Sequence, residues 1–330
     1  MSLPTPAATR KGILLMLLAI FLFTAMDAQA KDMDQRALEG IVASAGSGAD
    51  TIGRIVATSM SQVFGQQVII DNRTGAAGNL GAELAAKSPA DGYTILFNTI
   101  GPIAVNVTLF AGKLPYDPLK DLTPVGLITI ATNVIAVHPS VPANNLKELV
   151  ALVKANPERY NYATWGNGSS GQLTMEWLKQ KAGLKMDHIP YKTTPQIVND
   201  LASGVLQIGW TDPGTPVPMI EANKIKALAI SGNNRVPRTH NVPTMGEQGY
   251  PFESVGWFGV FGPANLPKAI TDRLNVEINK VQASPEMAKR MESMNLESPP
   301  VKSAEEFKAI IASDLKMWVT IAKDANVTGD

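Results

Sequence analysis

The sequence predicts an α/β fold of two doubly wound lobes joined by a hinge that the chain crosses twice. Three observations lead there. Short apolar segments alternate with helical patterns along the chain, which calls for strands with helical crossovers rather than a sandwich. The alternation runs through the first third, then begins again and completes a second unit in the middle third. The tail holds too few strands for a third unit, so it is expected to return and finish the first lobe. Lobe one is then residues 31–131 plus 256–330, and lobe two 132–255.

The elements follow in order. Residues 38–43 read as a strand, and 50–64 as a helix with Ile52, Ile55, Val56, Met60 and Val63 on one face. Strand 68–71, a Gly-rich turn, helix 79–87 and strand 93–98 follow. The second unit reads as strand 133–137, helix 145–156, strand 160–164, helix 170–182 and strand 187–190, then helix 194–203, strand 207–210, helix 215–222 and strand 227–231. The tail holds a segment 257–262 and helices near 268–283, 285–294 and 304–322. Such alternation predicts parallel strands, with hinge crossings near 126–132 and 254–259 and the carboxyl ends of both sheets facing a shared cleft.

Residues 1–30 are set aside from the fold. Arg10 and Lys11 precede an apolar run from Gly12 to Ala25, followed by Ala28-Gln29-Ala30, the layout of a secretory leader cut after Ala30. At roughly fourteen residues the run is shorter than the ~20 that span a bilayer as a helix. The chain has no cysteine, so neither a lipid anchor through that residue nor a disulfide, thiolate nucleophile or Cys-ligated metal is expected. The mature chain is expected to be free in the periplasm. Of 29 basic and 29 acidic residues, the leader carries Arg10, Lys11 and Asp27, leaving 27 against 28. This balance argues against a nucleic-acid partner, which would want a basic face, but not against a small anion.

Three strand-to-helix turns are built from Gly, Ser, Thr and Asn. They are Ser44-Ala45-Gly46-Ser47-Gly48-Ala49-Asp50-Thr51, Thr164-Trp165-Gly166-Asn167-Gly168-Ser169-Ser170 and Asn98-Thr99-Ile100-Gly101. The first turn of a helix offers unpaired N–H donors and about half a positive charge, enough to hold a carboxylate without Arg or Lys. A single such turn is equally well explained by capping, with Asp50 or Ser169 as the cap. Two at equivalent positions, one per lobe, read as a binding site. Asp212 is open to two readings, a hydrogen-bond acceptor for a ligand ammonium or hydroxyl, or a cap for the helix after Pro213. Trp165 and Trp210 either stack on a ligand ring or pack in the core.

Enzyme motifs fit poorly. The glycines of Gly75-Ala76-Ala77-Gly78-Asn79-Leu80-Gly81 have the wrong spacing for a dinucleotide loop, and no phosphate-loop Gly-Lys-Ser/Thr follows. Asn167-Gly168-Ser169-Ser170-Gly171 lacks the first glycine of a nucleophile elbow. His138, His188 and His240 are not at metal-ligand spacing. No catalytic residue, cofactor or metal is therefore expected. Two rival readings stand beside that of a receptor: a hydrolase using a serine near 169 with a distant histidine, and a sensor subunit serving a membrane signalling protein.

Six ordered motifs carry a family resemblance. They are the run Asp71-Asn72-Arg73-Thr74-Gly75 through Ala82, Pro89-Ala90-Asp91-Gly92-Tyr93-Thr94, Leu114-Pro115-Tyr116-Asp117-Pro118, Tyr162-Ala163-Thr164-Trp165 through Ser170, His188-Ile189-Pro190-Tyr191-Lys192 and Asn241-Val242-Pro243-Thr244. With them the chain resembles the tripartite tricarboxylate transporter receptors, the Bug or TctC type of periplasmic binding protein, over essentially its mature length. The resemblance implies a type II periplasmic binding fold, no catalysis, a carboxylic acid in the cleft and delivery to membrane permease subunits by a monomeric receptor. Carried over by position, it places the grip on Ser44, Gly46, Ser47, Ala49 and Asp50 in lobe one. In lobe two it falls on Thr164, Asn167, Gly168, Ser169 and Ser170, with Tyr191 and Asp212 also near the ligand; Thr99 joins the expected site through the third turn. Ala49 stands where the family usually has Thr, and Trp165 where it usually has a small residue. These departures extend the expected ligands from di- and tricarboxylates to a flat or aromatic one such as a benzene dicarboxylate.

Overall fold

The structure, a computed structural model, describes residues 38–42, 48–73, 78–239, 241–252, 256–325 and 327. The leader, Ser44, Gly46 and Ser47 of the first turn, and part of the second expected hinge crossing lie outside the described residues.

Lobe one opens with β1 (Leu38–Val42), α1 (Gly48–Phe64), β2 (Val68–Asn72), α2 (Asn79–Ala86) and β3 (Thr94–Thr99). A π-helical turn, Gly101–Val105, runs on into α3 (Asn106–Leu109), and β4 (Leu122–Ala131) follows. The chain then builds β5 (Val134–Val137), α4 (Leu146–Ala155), β6 (Tyr162–Thr164), α5 (Ser170–Ala182), β7 (His188–Pro190), α6 (Thr194–Ser203), β8 (Ile208–Thr211), α7 (Val217–Glu221) and β9 (Lys226–Ile230). It returns as β10 (Gly256–Pro263), α8 (Lys268–Gln282), α9 (Pro285–Ser293) and α10 (Ala304–Ala325). The first sheet has the order β2-β1-β3-β10-β4 and the second β7-β6-β8-β5-β9.

The expectation of parallel strands is corrected at one strand in each sheet. β10 runs antiparallel to both β3 and β4, and β5 antiparallel to both β8 and β9. These are the first strands after each crossing. A chain that arrives from the other lobe enters its new sheet at the cleft end, so it must run away from the cleft while its neighbours run toward it.

The first crossing is also shorter than the sequence suggests. Pro124 and Gly126 disfavour a strand interior, yet both lie inside β4, which is the edge strand where proline is tolerated. Gly126 is a packing position rather than a hinge: a Cβ there would stand 3.2 Å from Ile278 Cγ2 on α8. Beside it the Asn275 amide donates to the Val125 carbonyl at 2.7 Å. Only Thr132 and Asn133 separate β4 from β5.

Apolar periodicity explains the layers. On α1 the stripe Ile52, Val56, Met60 and Phe64 is buried, meeting Leu38, Ile95 and Val260 of the sheet and Ile270, Leu274 and Ile278 of α8. Lobe two packs Ile197, Val198 and Leu201 of α6 against Val134, Ala136 and Ala163. Caps set the helix boundaries: Asn145 accepts from the Glu148 amide at 2.9 Å, and Ser284 from Met287 at 3.1 Å. Gly183 and Gly204 end α5 and α6 in left-handed conformations.

One core cluster extends through both lobes. α10 lies on lobe one through Phe307 and Ile311, and on α5 of lobe two through the ring series Trp177, Phe252 and Trp318. Phe307 in turn sits edge-on to Trp257, 5.2 Å between ring centres.

That packing leaves no room at Gly259 in β10, where a Cβ would lie 2.3 Å from Phe307 Cζ. Gly259→Ala is expected to cost about 1–3 kcal/mol of stability by overpacking. A urea titration followed by circular dichroism reads this as a lower midpoint with an unchanged slope.

Candidate functional site

The cleft residues hang from the carboxyl ends of parallel strands and from the starts of the two antiparallel ones. Between the sheets lies a cavity of about 540 Å³. Lobe two lines it with Trp165, Asn167, Gly168, Ser169 and Ser170 after β6, Thr194 at the start of α6, and Asp212 after β8. Lobe one contributes Gly78 at the start of α2 and the run Asn98 through Pro102 after β3. Asn133 lies in the first crossing, Gly256, Trp257 and Phe258 begin β10, and Met294 and Leu296 follow α9. No Lys, Arg or His is among the described lining residues, and Asp212 is the one carboxylate.

The turn before α5 is built to present amides. Ser169 caps the helix, its Oγ accepting from the Gln172 amide at 3.2 Å, while Gln172 Oε1 accepts from the Gly168 amide at 2.7 Å. With those two donors satisfied, the amides of Ser170 and Gly171 remain without an acceptor among the described residues. Gly171 is required here, because a Cβ would stand 2.7 Å from Trp210 Cδ1. The Trp210 ring is therefore core, buried beneath the helix start, whereas Trp165 is half-buried in the cavity wall.

Thr164 lies below this turn, fully buried. Its Oγ1 is 2.7 Å from His188 Nε2 and 3.2 Å from Ser169 Oγ. Burial pushes the His188 imidazole down to about 4, although Glu176 pulls it up; Lys179 pushes it further down. The same ring stacks on Tyr162, whose hydroxyl donates to Glu176 at 2.5 Å. His188 therefore partners Thr164 as a neutral group rather than reaching Ser169 as a base.

Asp212 does not cap α7, whose N-cap is Pro216 without a side-chain hydrogen bond; it braces the turn ahead of that helix instead. Its Oδ1 accepts from the amides of Gly214 and Thr215 at 3.0 and 2.8 Å, and Oδ2 from the Thr215 hydroxyl at 2.7 Å, while the residue lines the cavity. The structure thus brings Thr99, Trp165, Asn167, Gly168, Ser169, Ser170 and Asp212 together. Tyr191 is not among the lining residues, and its hydroxyl donates to Asp200 at 2.7 Å. Ala49 and Asp50 fall in the first turn of α1, and the Asp50 carboxylate is 3.0 Å from Arg54 and accepts from Asn72 at 2.9 Å.

Sequence reasoning missed Gly78, the segment from Pro102 to Phe110, Asn133, Thr194, the start of β10, and Met294 with Leu296. A strand-end rule applied to both crossings would have found Asn133 and Gly256 to Phe258. Met294 and Leu296 carry no local signal.

Two α/β lobes around a cavity lined by amides and apolar rings, without a base at the serine, form a solute-binding clamp. The family model of the tripartite tricarboxylate transporter family receptor matches residues 52–327, and the chain belongs to that family. Its members are solute-binding proteins of the periplasm, not enzymes, and the hydrolase reading falls with that. Among relatives, the UPF0065 protein in the tcbD-tcbE intergenic region of Pseudomonas sp. (strain P51) is 32% identical over 286 residues, 85% of this chain and 84% of that one. The R. palustris protein Rpa4515 solved with adipate is 30% identical with a TM-score of 0.78, covering 89% of this chain and 98% of that one. The periplasmic binding protein BugD is 29% identical with a TM-score of 0.75, covering 90% and 99%.

The His188 environment makes a pH prediction. Its folded value lies below the ordinary 6.5, so as pH falls through 6.5 the unfolded chain takes up a proton that the native protein refuses. Stability is expected to fall between pH 6.5 and about 4 and this contribution to level off below. His188→Gln should flatten that slope, as read by urea unfolding at pH 7 and pH 5.

Proposed function

We propose that this chain is a periplasmic receptor that captures a small carboxylate between its lobes and delivers it to the membrane permease of a tripartite tricarboxylate-type transporter. The observation that carries the reading is the start of α5, where Ser170, whose amide has no acceptor among the described residues, lines a cavity with no cationic side chain among its described wall residues. An acid group there gains charge-assisted hydrogen bonds and the positive end of the helix dipole. At roughly 1.5–3 kcal/mol each, three or four such bonds offset ligand ordering and lobe closure and give micromolar affinity. The adipate bound by the R. palustris protein, a relative in fold and sequence, supports the same chemistry here.

In this reading the leader is removed after Ala30, the lobes are 31–131 plus 256–330 and 132–255, and ligand shifts the clamp from open to closed. The turn Ser44 to Ser47 supplies the second grip from lobe one. The rest of the wall is ring-rich, with Phe110, Trp165, Trp257 and Phe258 set among polar groups such as Asn98, Thr99, Asn133 and Asp212. That composition favours a flat body, so the ligand class is an aromatic carboxylate such as a benzene dicarboxylate.

Calorimetry on the mature protein tests both levels. Terephthalate is expected to bind at least tenfold more tightly than adipate. The reverse order would remove the aromatic assignment while leaving the carboxylate receptor. Ser170→Leu, which places a side chain in front of the free amides, is expected to abolish binding of both with no change in the unfolding midpoint. Retained affinity in that variant would overturn the grip at α5.

A further inference from the structure

The segment Met294–Glu297, between α9 and α10, is held to lobe one by its backbone and by Met294 and Leu296, and reaches lobe two through the side chains of Asn295 and Glu297. Asn295 adopts a left-handed conformation with φ 55°. This lets the Leu296 amide turn back to the Met291 carbonyl at 2.8 Å and close α9. Glu297 then bridges to Ile130 at the cleft end of β4, and the Thr129 hydroxyl donates to the Glu297 carbonyl. Glu297 is thereby fixed to the first sheet and Leu296 to α9.

The side chains of Asn295 and Glu297 point the other way. Asn295 is completely buried. Its Nδ2 donates to the Pro213 carbonyl at 2.7 Å and to Thr239 Oγ1 at 3.3 Å, and its Oδ1 accepts from the Arg238 amide at 2.8 Å. Glu297 accepts from Asn234 at 3.1 Å. Every one of those partners lies between β8 and β10, on the far side of the first crossing. The backbones touch as well, since a Cβ on Gly214 would stand 2.6 Å from the Met294 carbonyl oxygen. A residue needed only to end α9 could be glycine; the buried amide of Asn295 instead ties Pro213, in the loop that carries Asp212, to Arg238 and Thr239 beyond β9.

We infer that Asn295 is a positioning residue for ligand selection: it fastens the Asp212–Thr215 loop of lobe two to lobe one. It thereby fixes the one charged side chain in the described cavity wall. The inference rests on the receptor reading for its meaning in selection, but the fastening itself is measurable without ligand. Held in place, Asp212 favours a group that donates hydrogen bonds and turns any second carboxylate of the ligand toward another part of the wall. Released, the loop can withdraw or turn, and the cavity loses that preference.

The test uses the full mature protein and Asn295→Gly, which keeps the left-handed backbone free of strain while deleting the side chain. Asn295→Asp serves as the second variant, of nearly equal volume and tolerant of the same φ, but with an oxygen set against the Pro213 carbonyl. Hydrogen exchange without ligand is expected to speed up at least tenfold in the peptide containing Gly214 and Thr215, with α1 and α8 unchanged. Unchanged exchange there in both variants, or in whichever of them folds, would overturn the fastening. Calorimetry then compares adipate with 6-aminohexanoate, which differ only in carrying a carboxylate or an ammonium at one end. The ratio of the two affinities is expected to shift threefold or more toward adipate in the variants. Equal weakening of both would reduce Asn295 to a structural role. Failure of both probes to bind the unaltered protein would count against the carboxylate reading, while the exchange result would still decide the fastening.

Discussion

Strand direction is the constraint on which this molecule depends. Parallel strands of both sheets end at one gap, and the strand that enters each sheet after a crossing starts there. The described groups of the cavity wall come from those ends or from segments braced against them: Thr99 after β3, Asn167 to Ser170 after β6, Asp212 after β8, and Trp257 near the start of β10. Reverse one of these strands and its contribution would move to the opposite end of the sheet.

The chemistry of the gap follows from what the strand ends can carry. A helix that starts where a strand stops presents donors without needing a charged side chain, and Gly171 allows α5 to sit close over Trp210. Below it, Thr164, His188 and Tyr162 form a polar layer that joins the cap to the charged pair Glu176 and Lys179. An unpartnered charge on that imidazole would be costly so close to the core, and burial keeps it neutral.

Much of this was legible in the sequence because it is local. The α5 turn announces itself by Gly-Asn-Gly-Ser-Ser, and α1 by Ile52, Val56 and Met60, although Val63, expected on the same face, is exposed and Phe64 is buried instead. β4 was hidden because Pro124 and Gly126 imitate a break, and only the sheet order shows that an edge strand can hold them. The residues 101–109 were unassigned because an apolar stretch interrupted by Pro102 has no clean period. Met294, Asn295 and Leu296 were out of reach for a different reason. The partners of Asn295 and of Glu297 beside them lie 56 to 168 residues away in the chain, and nothing in a short helix-ending segment records that distance.

The ring series Trp177, Phe252 and Trp318 has a mechanical meaning. It packs α10 against α5 through aromatic rings, so separating the two helices along that seam would expose those rings to water. A movement of the lobes that keeps those rings packed has to turn about the seam.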